Sequence, residues 1–144
     1  MAKFDFSELT EFSEDLLSLA EEVDNGKEAK KFLRRTGNKL KRRTVKVAKS
    51  KVNKKTGNLF KGIKRGRPYK YKPENSMAVR VYAGKPAYHA HLLDRGHRII
   101  DKTGKEHGFY KGQHFMEGGA KLYEKEYYQD TQKFIDDLLD DHLL

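Results

Sequence analysis

Residues 27–53 read KEAKKFLRRTGNKLKRRTVKVAKSKVN. The apolar residues of this stretch recur at the spacing of one helical face, and they are Ala29, Phe32, Leu33, Leu40, Val47 and Ala48. Lys and Arg fill the other faces. Gly37 weakens the helix by up to ~1 kcal/mol relative to Ala, which allows a bend there. The pattern predicts a basic helix over residues 27–53.

The preceding residues 1–26 predict a second amphipathic helix of opposite charge. They carry eight acids and one Lys. Apolar residues recur at steps of three and four, namely Phe6, Leu9, Phe12, Leu16, Leu19 and Val23. Ser7 provides a plausible start, and Asn25-Gly26 ends the pattern.

The period changes after the basic helix, and residues 57–100 are predicted to contain antiparallel strands. Residues 59–64 and 77–83 alternate in the manner of strands, with turn-forming residues between them, so a hairpin with a long basic loop is expected. Residues 88–93 fit either a strand or a helical turn. Residues 96–113 carry four glycines among polar residues and predict a mobile loop or hairpin.

Residues 115–144 predict a C-terminal helix, with Gly118-Gly119 as a hinge or N-cap. The predicted fold is a single α+β domain over residues 1–144. It has two N-terminal helices, a small antiparallel sheet, and the C-terminal helix packed on the sheet.

The charge of the chain is unevenly distributed. The formal net charge is +10, but residues 27–72 hold twenty Lys and Arg against one acid, whereas residues 1–26 and 116–144 are net acidic. Intramolecular pairing, head-to-tail assembly and binding of a polyanion all fit this layout. The absence of cysteine excludes disulfides and thiolate chemistry. No apolar run approaches the ~20 residues of a membrane span, so no membrane contact is expected.

Five histidines lie within 26 residues, at positions 89, 91, 97, 107 and 114. His89 and His91 would share one face of a strand, and with Asp94 they could serve an RNA-cleaving enzyme or, as a pair, bind a metal. Their spacings match no metal signature. We therefore expect no metal, no cofactor and no enzymatic activity.

The segment from Lys61 to Lys72 mixes cations with aromatic residues, a composition typical of contact with single-stranded nucleic acid. The candidate polyanion contacts are Lys61, Lys64, Arg65, Arg67, Tyr69, Lys70, Tyr71 and Lys72. A non-specific nucleic-acid-binding domain that uses residues 27–72 is therefore an alternative function.

Three stretches, taken in order, carry a resemblance to a known family. Residues 55–63 (KTGNLFKGI) resemble a T-G-x-L-x-x-S-I element, residues 88–97 (YHAHLLDRGH) a Y-A-x-x-V-E-x-G-T element, and residues 112–120 (GQHFMEGGA) a P-F-L-x-P-A element. The ordered set resembles the neck and tail-completion proteins of long-tailed bacteriophages. The matching positions are Thr56, Gly57, Leu59, Ile63, Tyr88, Asp94, Gly96, Phe115 and Ala120.

The resemblance implies a structural virion protein without catalytic activity. Such a protein assembles as a ring at the head-tail junction or upper tail, and its partners are neighbouring neck and tail proteins. During assembly it would be found in the host cytoplasm. We expect a monomer or weak oligomer in dilute solution, with the loop at residues 96–113 becoming ordered on assembly.

Overall fold

A computed structural model describes Glu14 and residues 26–53, 56–74 and 76–143. The acidic helix predicted for residues 1–26 lies outside the described part of the chain, apart from Glu14 and Gly26. Within the described residues the helices are α1 (Lys27–Lys51), α2 (Asn58–Gly62), α3 (Ala90–Arg95) and α4 (Phe115–Leu143). The strands are β1 (Ile63–Arg65), β2 (Tyr69–Tyr71), β3 (Ser76–Ala78), β4 (Val81–Ala83), β5 (Gly96–Ile100) and β6 (Glu106–Lys111).

The long helices α1 and α4 pack against each other as an antiparallel pair. At one end the ring of Phe32 stacks on that of Phe134, with 4.3 Å between centroids. At the other end Thr44 meets Gly119, so residue numbers rise along α1 as they fall along α4. Thr36 and Thr44 are buried between the helices. Their burial is tolerated because each hydroxyl donates a hydrogen bond to the carbonyl four residues earlier in α1. The predicted basic and C-terminal helices are thus confirmed.

Gly118 and Gly119 lie inside α4, and the prediction that they form a hinge or N-cap is wrong. A Cβ at Gly119 would lie 2.6 Å from the Cα of Thr44, so the two helix backbones touch at this point. Glycine is needed here because any side chain would push the helices apart.

The predicted strand at residues 59–64 is largely wrong, because residues 58–62 form the short helix α2. Gly57 adopts a left-handed conformation at its start (φ 80°), and Leu59 and Phe60 then pack against the buried core. The strand begins at Ile63, where β1 pairs antiparallel with β4 in the register Ile63 to Ala83.

The predicted strand at residues 77–83 is interrupted at Val79 and Arg80. Its two halves become β3, which pairs with β2, and β4, which pairs with β1. The interruption lies where this ribbon crosses α1. A Cβ at Gly37 would lie 2.8 Å from Cδ of Arg65 and 3.3 Å from Cγ1 of Val79, so the ribbon rests on the bare backbone of Gly37. Helix α1 runs without interruption through Gly37, the residue at which the sequence allowed a bend.

Of the two structures that residues 88–93 fitted, a strand or a helical turn, the helical one is observed, since α3 begins at Ala90. Residues 96–111 form an antiparallel hairpin of β5 and β6, so the structure shows the hairpin and not the open loop. Its mobility remains a prediction. Within the described residues the hairpin joins the rest of the molecule chiefly through α3 at its base.

The core lies between α1, β1, α3 and the start of α4. Its buried residues are Ala48, Ile63, Ala87, Ala90 and Phe115. The predicted α+β class is confirmed: the three two-stranded sheets are antiparallel, and the C-terminal helix packs on them. No described helix is both long and apolar enough to span a bilayer.

Candidate functional site

Of the nine positions that carry the family resemblance, three belong to the core or pack against it, and three are exposed, among them Thr56. Ile63 and Phe115 are fully buried and belong to the same cluster, and Leu59 packs against it. Tyr88 is 63% exposed. Ala120 is exposed on α4, away from the other positions.

Asp94 joins the second of the three stretches to the third. Its carboxylate oxygen Oδ1 accepts a hydrogen bond from the backbone N–H of Met116 (3.1 Å), and its carbonyl accepts one from the N–H of His114 (2.9 Å). A carboxylate at this place satisfies a free donor at the start of α4 and interacts favourably with the helix dipole. The sequence marked Asp94 as a motif position but did not reveal that it caps α4.

Gly96 lies at the base of the hairpin with a φ of 91°, a conformation that side chains rarely adopt. A Cβ there would also lie 2.6 Å from the carbonyl oxygen of Tyr110. Both observations require glycine where α3 turns into β5.

An open cleft of about 920 Å³, here called the motif cleft, lies between the first and second stretches. Thr56, Gly57 and Tyr88 contribute to its walls. Its other lining includes Leu59, Phe60, Leu92, Leu93, His97 and Tyr110. His97 of β5 and Tyr110 of β6 are paired across the hairpin and their rings stack at 5.2 Å, so this wall of the cleft is a cross-strand pair of the hairpin itself. Aliphatic and aromatic side chains thus form much of its lining.

The β5–β6 hairpin exposes apolar side chains. Ile99, Ile100 and Phe109 are 44%, 57% and 63% exposed. Ile99 and Ile100 end β5 next to the turn, whereas the Phe109 ring reaches back toward the base of the hairpin, where its Cζ lies 3.0 Å from the Cβ position of Gly96. An isolated two-stranded hairpin is only marginally stable in water, and exposed apolar surface of this kind is typical of contact sites.

The turn of this hairpin is held by Asp101. Its Oδ1 accepts hydrogen bonds from the backbone N–H groups of Thr103 (2.8 Å) and Lys105 (3.0 Å) and from the Thr103 hydroxyl (2.5 Å), and its Oδ2 lies 2.6 Å from Nε2 of His107. The bond from the Thr103 hydroxyl, followed by that from His107, holds the pKa of Asp101 well below its usual range. The sequence Asp-Lys-Thr-Gly at residues 101–104 is typical of such a turn, and it was the available signal for the hairpin.

The candidate polyanion contacts at residues 61–72 do not form a single surface. Arg65 lies across α1, where its Nε–H donates to Oδ1 of Asn38 at 2.7 Å. Tyr71 lines a different cleft, between the β2–β3 ribbon and α4. The remaining members are distributed over α2, β1, the following turn, β2 and the 3-10 turn; they are Lys61, Lys64, Arg67, Tyr69, Lys70 and Lys72. The predicted basic loop is thus a folded ribbon.

Part of the positive charge of α1 is neutralised by acids of α4. Lys39 lies 2.8 Å from Asp130 and 3.3 Å from Glu126, and Arg43 lies 2.7 Å from Glu126. The hydrogen bond to Asp130 raises the pKa of Lys39, while hydrogen bonds from Arg43 and then Lys39 lower that of Glu126. The structure therefore shows intramolecular pairing, one of the three arrangements that the charge layout allowed, for these residues.

Tyr123 extends this polar group into the helix interface. Its hydroxyl donates to Asp130 at 2.7 Å, and burial, together with that bond, raises the pKa of Tyr123. Burial acts to raise the pKa of Asp130, but the bonds from Lys39 and Tyr123 outweigh it and the net shift is downward. By its spacing in residues 115–144, Tyr123 belongs to the apolar face of the helix, and the spacing gives no signal of this contact.

The histidines do not converge. His89 and His91 are exposed at the start of α3, so the expectation that they share a strand face is wrong. Asp94 is directed to the start of α4, and His107 bonds to Asp101 in the hairpin turn. Among the described residues, no group of three or more His, Asp or Glu side chains is arranged to hold a metal ion.

Comparison of the chain with protein-family models, curated proteins and solved structures finds no match.

Proposed function

We propose that this protein is a structural virion protein of a tailed phage or prophage, acting in the head-tail connection as a neck or tail-completion ring subunit. The observation that carries the proposal is the projecting hairpin, whose exposed Ile99, Ile100 and Phe109 offer surface for burial against a neighbour. The resemblance of residues 55–63, 88–97 and 112–120 to the neck and tail-completion family supports the head-tail connection as the assembly in question.

The positions of the hairpin and the motif cleft support assembly into a ring. The exposed apolar side chains of the hairpin form a projection, and the motif cleft beside the hairpin base forms a concavity, so one chain carries two unlike surfaces. Contacts between unlike surfaces of identical subunits are heterologous, and they close into rings when the rotation between subunits allows it. The partners under this proposal are further copies of this chain and the neighbouring neck and tail proteins.

Assembly of phage particles without this protein tests the proposal. Negative-stain microscopy is expected to show heads and tails that have not joined, because the missing subunit closes the joint between them. Complete infectious particles in its absence would contradict the proposal.

A hairpin variant tests the carrying observation. Ile100→Thr combined with Phe109→Thr places Thr, which has good β propensity, in both strands and removes much of the exposed apolar surface of the hairpin. Unjoined particles are expected, with unchanged folding of the purified chain. Leu122→Thr is the matched control, since Leu122 is also exposed (49%) but lies on α4. Normal particles from the hairpin variant would show that this surface is not an assembly contact.

A further inference from the structure

The outer face of α1 carries a straight row of cations. The row, here called the outer stripe, consists of Lys31, Arg35, Arg42, Lys46 and Lys49. Its members are separated by four, seven, four and three residues, which is the spacing of one helical face. All five side chains are exposed, whereas Thr36, Thr44 and Ala48 on the other side of the helix are buried.

The outer stripe differs in its surroundings from two cations of α1 that face α4, Lys39 and Arg43. Lys39 and Arg43 are held by Glu126 and Asp130, as described above. No ion pair joins a stripe side chain to a carboxylate within the described part of the chain. The sequence contains no acid between Ala29 and Lys72, so neither α1 beyond Glu28 nor the adjoining α2 and β1 can supply one.

The second half of the stripe borders a groove of about 530 Å³. Lys41, Val45 and Phe60 complete the lining of this groove beside the stripe cations. The ammonium group of Lys49 lies 5.9 Å from the centre of the Phe60 ring. The groove thus combines positive charge with one apolar wall.

We propose that the outer stripe of α1 binds the phosphate backbone of duplex DNA without regard to base sequence. The stripe runs over 19 residues of a continuous helix, from Lys31 to Lys49, or roughly 27 Å, and so presents its charges in a rigid line. A rigid line of cations matches a duplex, whose phosphates are regularly spaced. Single-strand sites need several aromatic platforms. Of the two tyrosines that the sequence suggested for this, Tyr71 lies in the cleft beside α4, and Tyr69 lies on β2 and not on the helix that carries the stripe.

The salt dependence of binding follows from the number of stripe cations. If all five neutralise phosphates, the slope of log affinity against log salt is about −4.5, and affinity falls roughly 500-fold between 50 and 200 mM salt. A variant lacking two of the contacts should have a slope of about −2.7 and lose only roughly 40-fold over the same range.

The experiment uses the full chain and a fluorescein-labelled 20-base-pair duplex, with anisotropy measured at 50 to 200 mM KCl. Arg42→Gln combined with Lys46→Gln is expected to weaken binding at 50 mM and to reduce the slope by about 1.8. The matched control, Lys102→Gln combined with Lys105→Gln, removes the same charge from the exposed hairpin turn. It should leave both affinity and slope within error of the parent chain.

Several results would overturn the proposal. Equal weakening by the control variant would show that net charge, and not the stripe, attracts DNA. Tighter binding of a 20-nucleotide single strand than of the duplex would assign the surface to single strands. Competition by poly-glutamate as strong as that by duplex, at equal charge, would assign it to an acidic protein. Absence of binding at 50 mM KCl would exclude a DNA site.

Discussion

Replacing Gly119 by Ala tests the packing of the two long helices. The added methyl would lie 2.6 Å from Cα and 2.8 Å from Cβ of Thr44, whereas carbon atoms pack at about 3.5–4.0 Å. The helices must therefore separate by about 1 Å at this point. Overpacking of this kind costs about 1–3 kcal/mol, and the better helix propensity of Ala returns up to ~1 kcal/mol. We expect a net loss of about 1–2 kcal/mol in the free energy of unfolding.

Thermal unfolding followed by circular dichroism measures this loss, which for a chain of this size corresponds to a fall in Tm of about 3–8 °C. Gly118→Ala is the matched control on the same helix. Its methyl would meet one close atom, Cγ1 of Val47 at 2.9 Å, and no backbone atom of α1, so a small shift of that side chain relieves the contact and the better helix propensity of Ala offsets its cost. A change within about 0.5 kcal/mol is expected for this variant.

A further comparison separates the backbone contact from the hydroxyl contact. Thr44→Ala removes the hydroxyl but leaves Cα and Cβ in place, so it should not rescue Gly119→Ala. A Gly119→Ala variant as stable as the parent chain would contradict the close contact between Gly119 and Thr44. Equal destabilisation by Gly118→Ala would also contradict it, since the loss would then reflect substitution in this turn of α4 rather than contact with Thr44.

Three more variants test the polar contacts. Asp94→Ala should lower the free energy of unfolding by about 1 kcal/mol in urea titrations because the Met116 N–H loses its acceptor, whereas Asp94→Asn should lose less. The pKa of Glu126 is lowered from its ordinary value of 4.5, so the stabilisation that its carboxylate provides is present above pH 4.5 and is lost as the pH falls. The difference in the free energy of unfolding between the parent chain and Glu126→Gln should therefore shrink toward zero between about pH 7 and 3. A difference independent of pH would contradict this. Asp101→Ala removes the acceptor of two backbone N–H groups in the hairpin turn, so it should speed hydrogen exchange of the hairpin amides. The free energy of unfolding of the whole chain should change by no more than about 0.5 kcal/mol. A large loss would instead place the turn in the cooperative core.

The long elements were predictable because their signal extends over many turns. Each of α1 and α4 repeats an apolar position through at least 25 residues, so local errors average out. Residues 59–64 offered only six residues, and an apolar run this short fits a strand or a helical turn equally well. The left-handed Gly57 and the packing of Leu59 and Phe60 on the core decided for a helix, and neither is visible in the spacing.

The break in the predicted strand at residues 77–83 has a cause that lies elsewhere in the chain. The ribbon can cross α1 closely because Gly37 has no side chain, and Arg65 and Val79 occupy the space this leaves. The sequence showed the glycine, and its cost to helix propensity suggested a bend. Its actual role is a close contact with a segment about 30–40 residues away, which no local pattern contains.

The pairing of charges is likewise a feature that no local sequence pattern contains. Counting residues gave the surplus of cations in residues 27–72, but three arrangements could balance it. Balance depends on which helical face each cation occupies and on what packs there, because an acid neutralises only its near neighbours in salt solution. Lys39 and Arg43 form ion pairs with acids of α4, whereas the stripe cations form none within the described residues, although Arg35 lies near enough to Asp130 to help lower its pKa. One helix can therefore hold the fold together along one flank and keep its remaining charge available for a polyanion along the other.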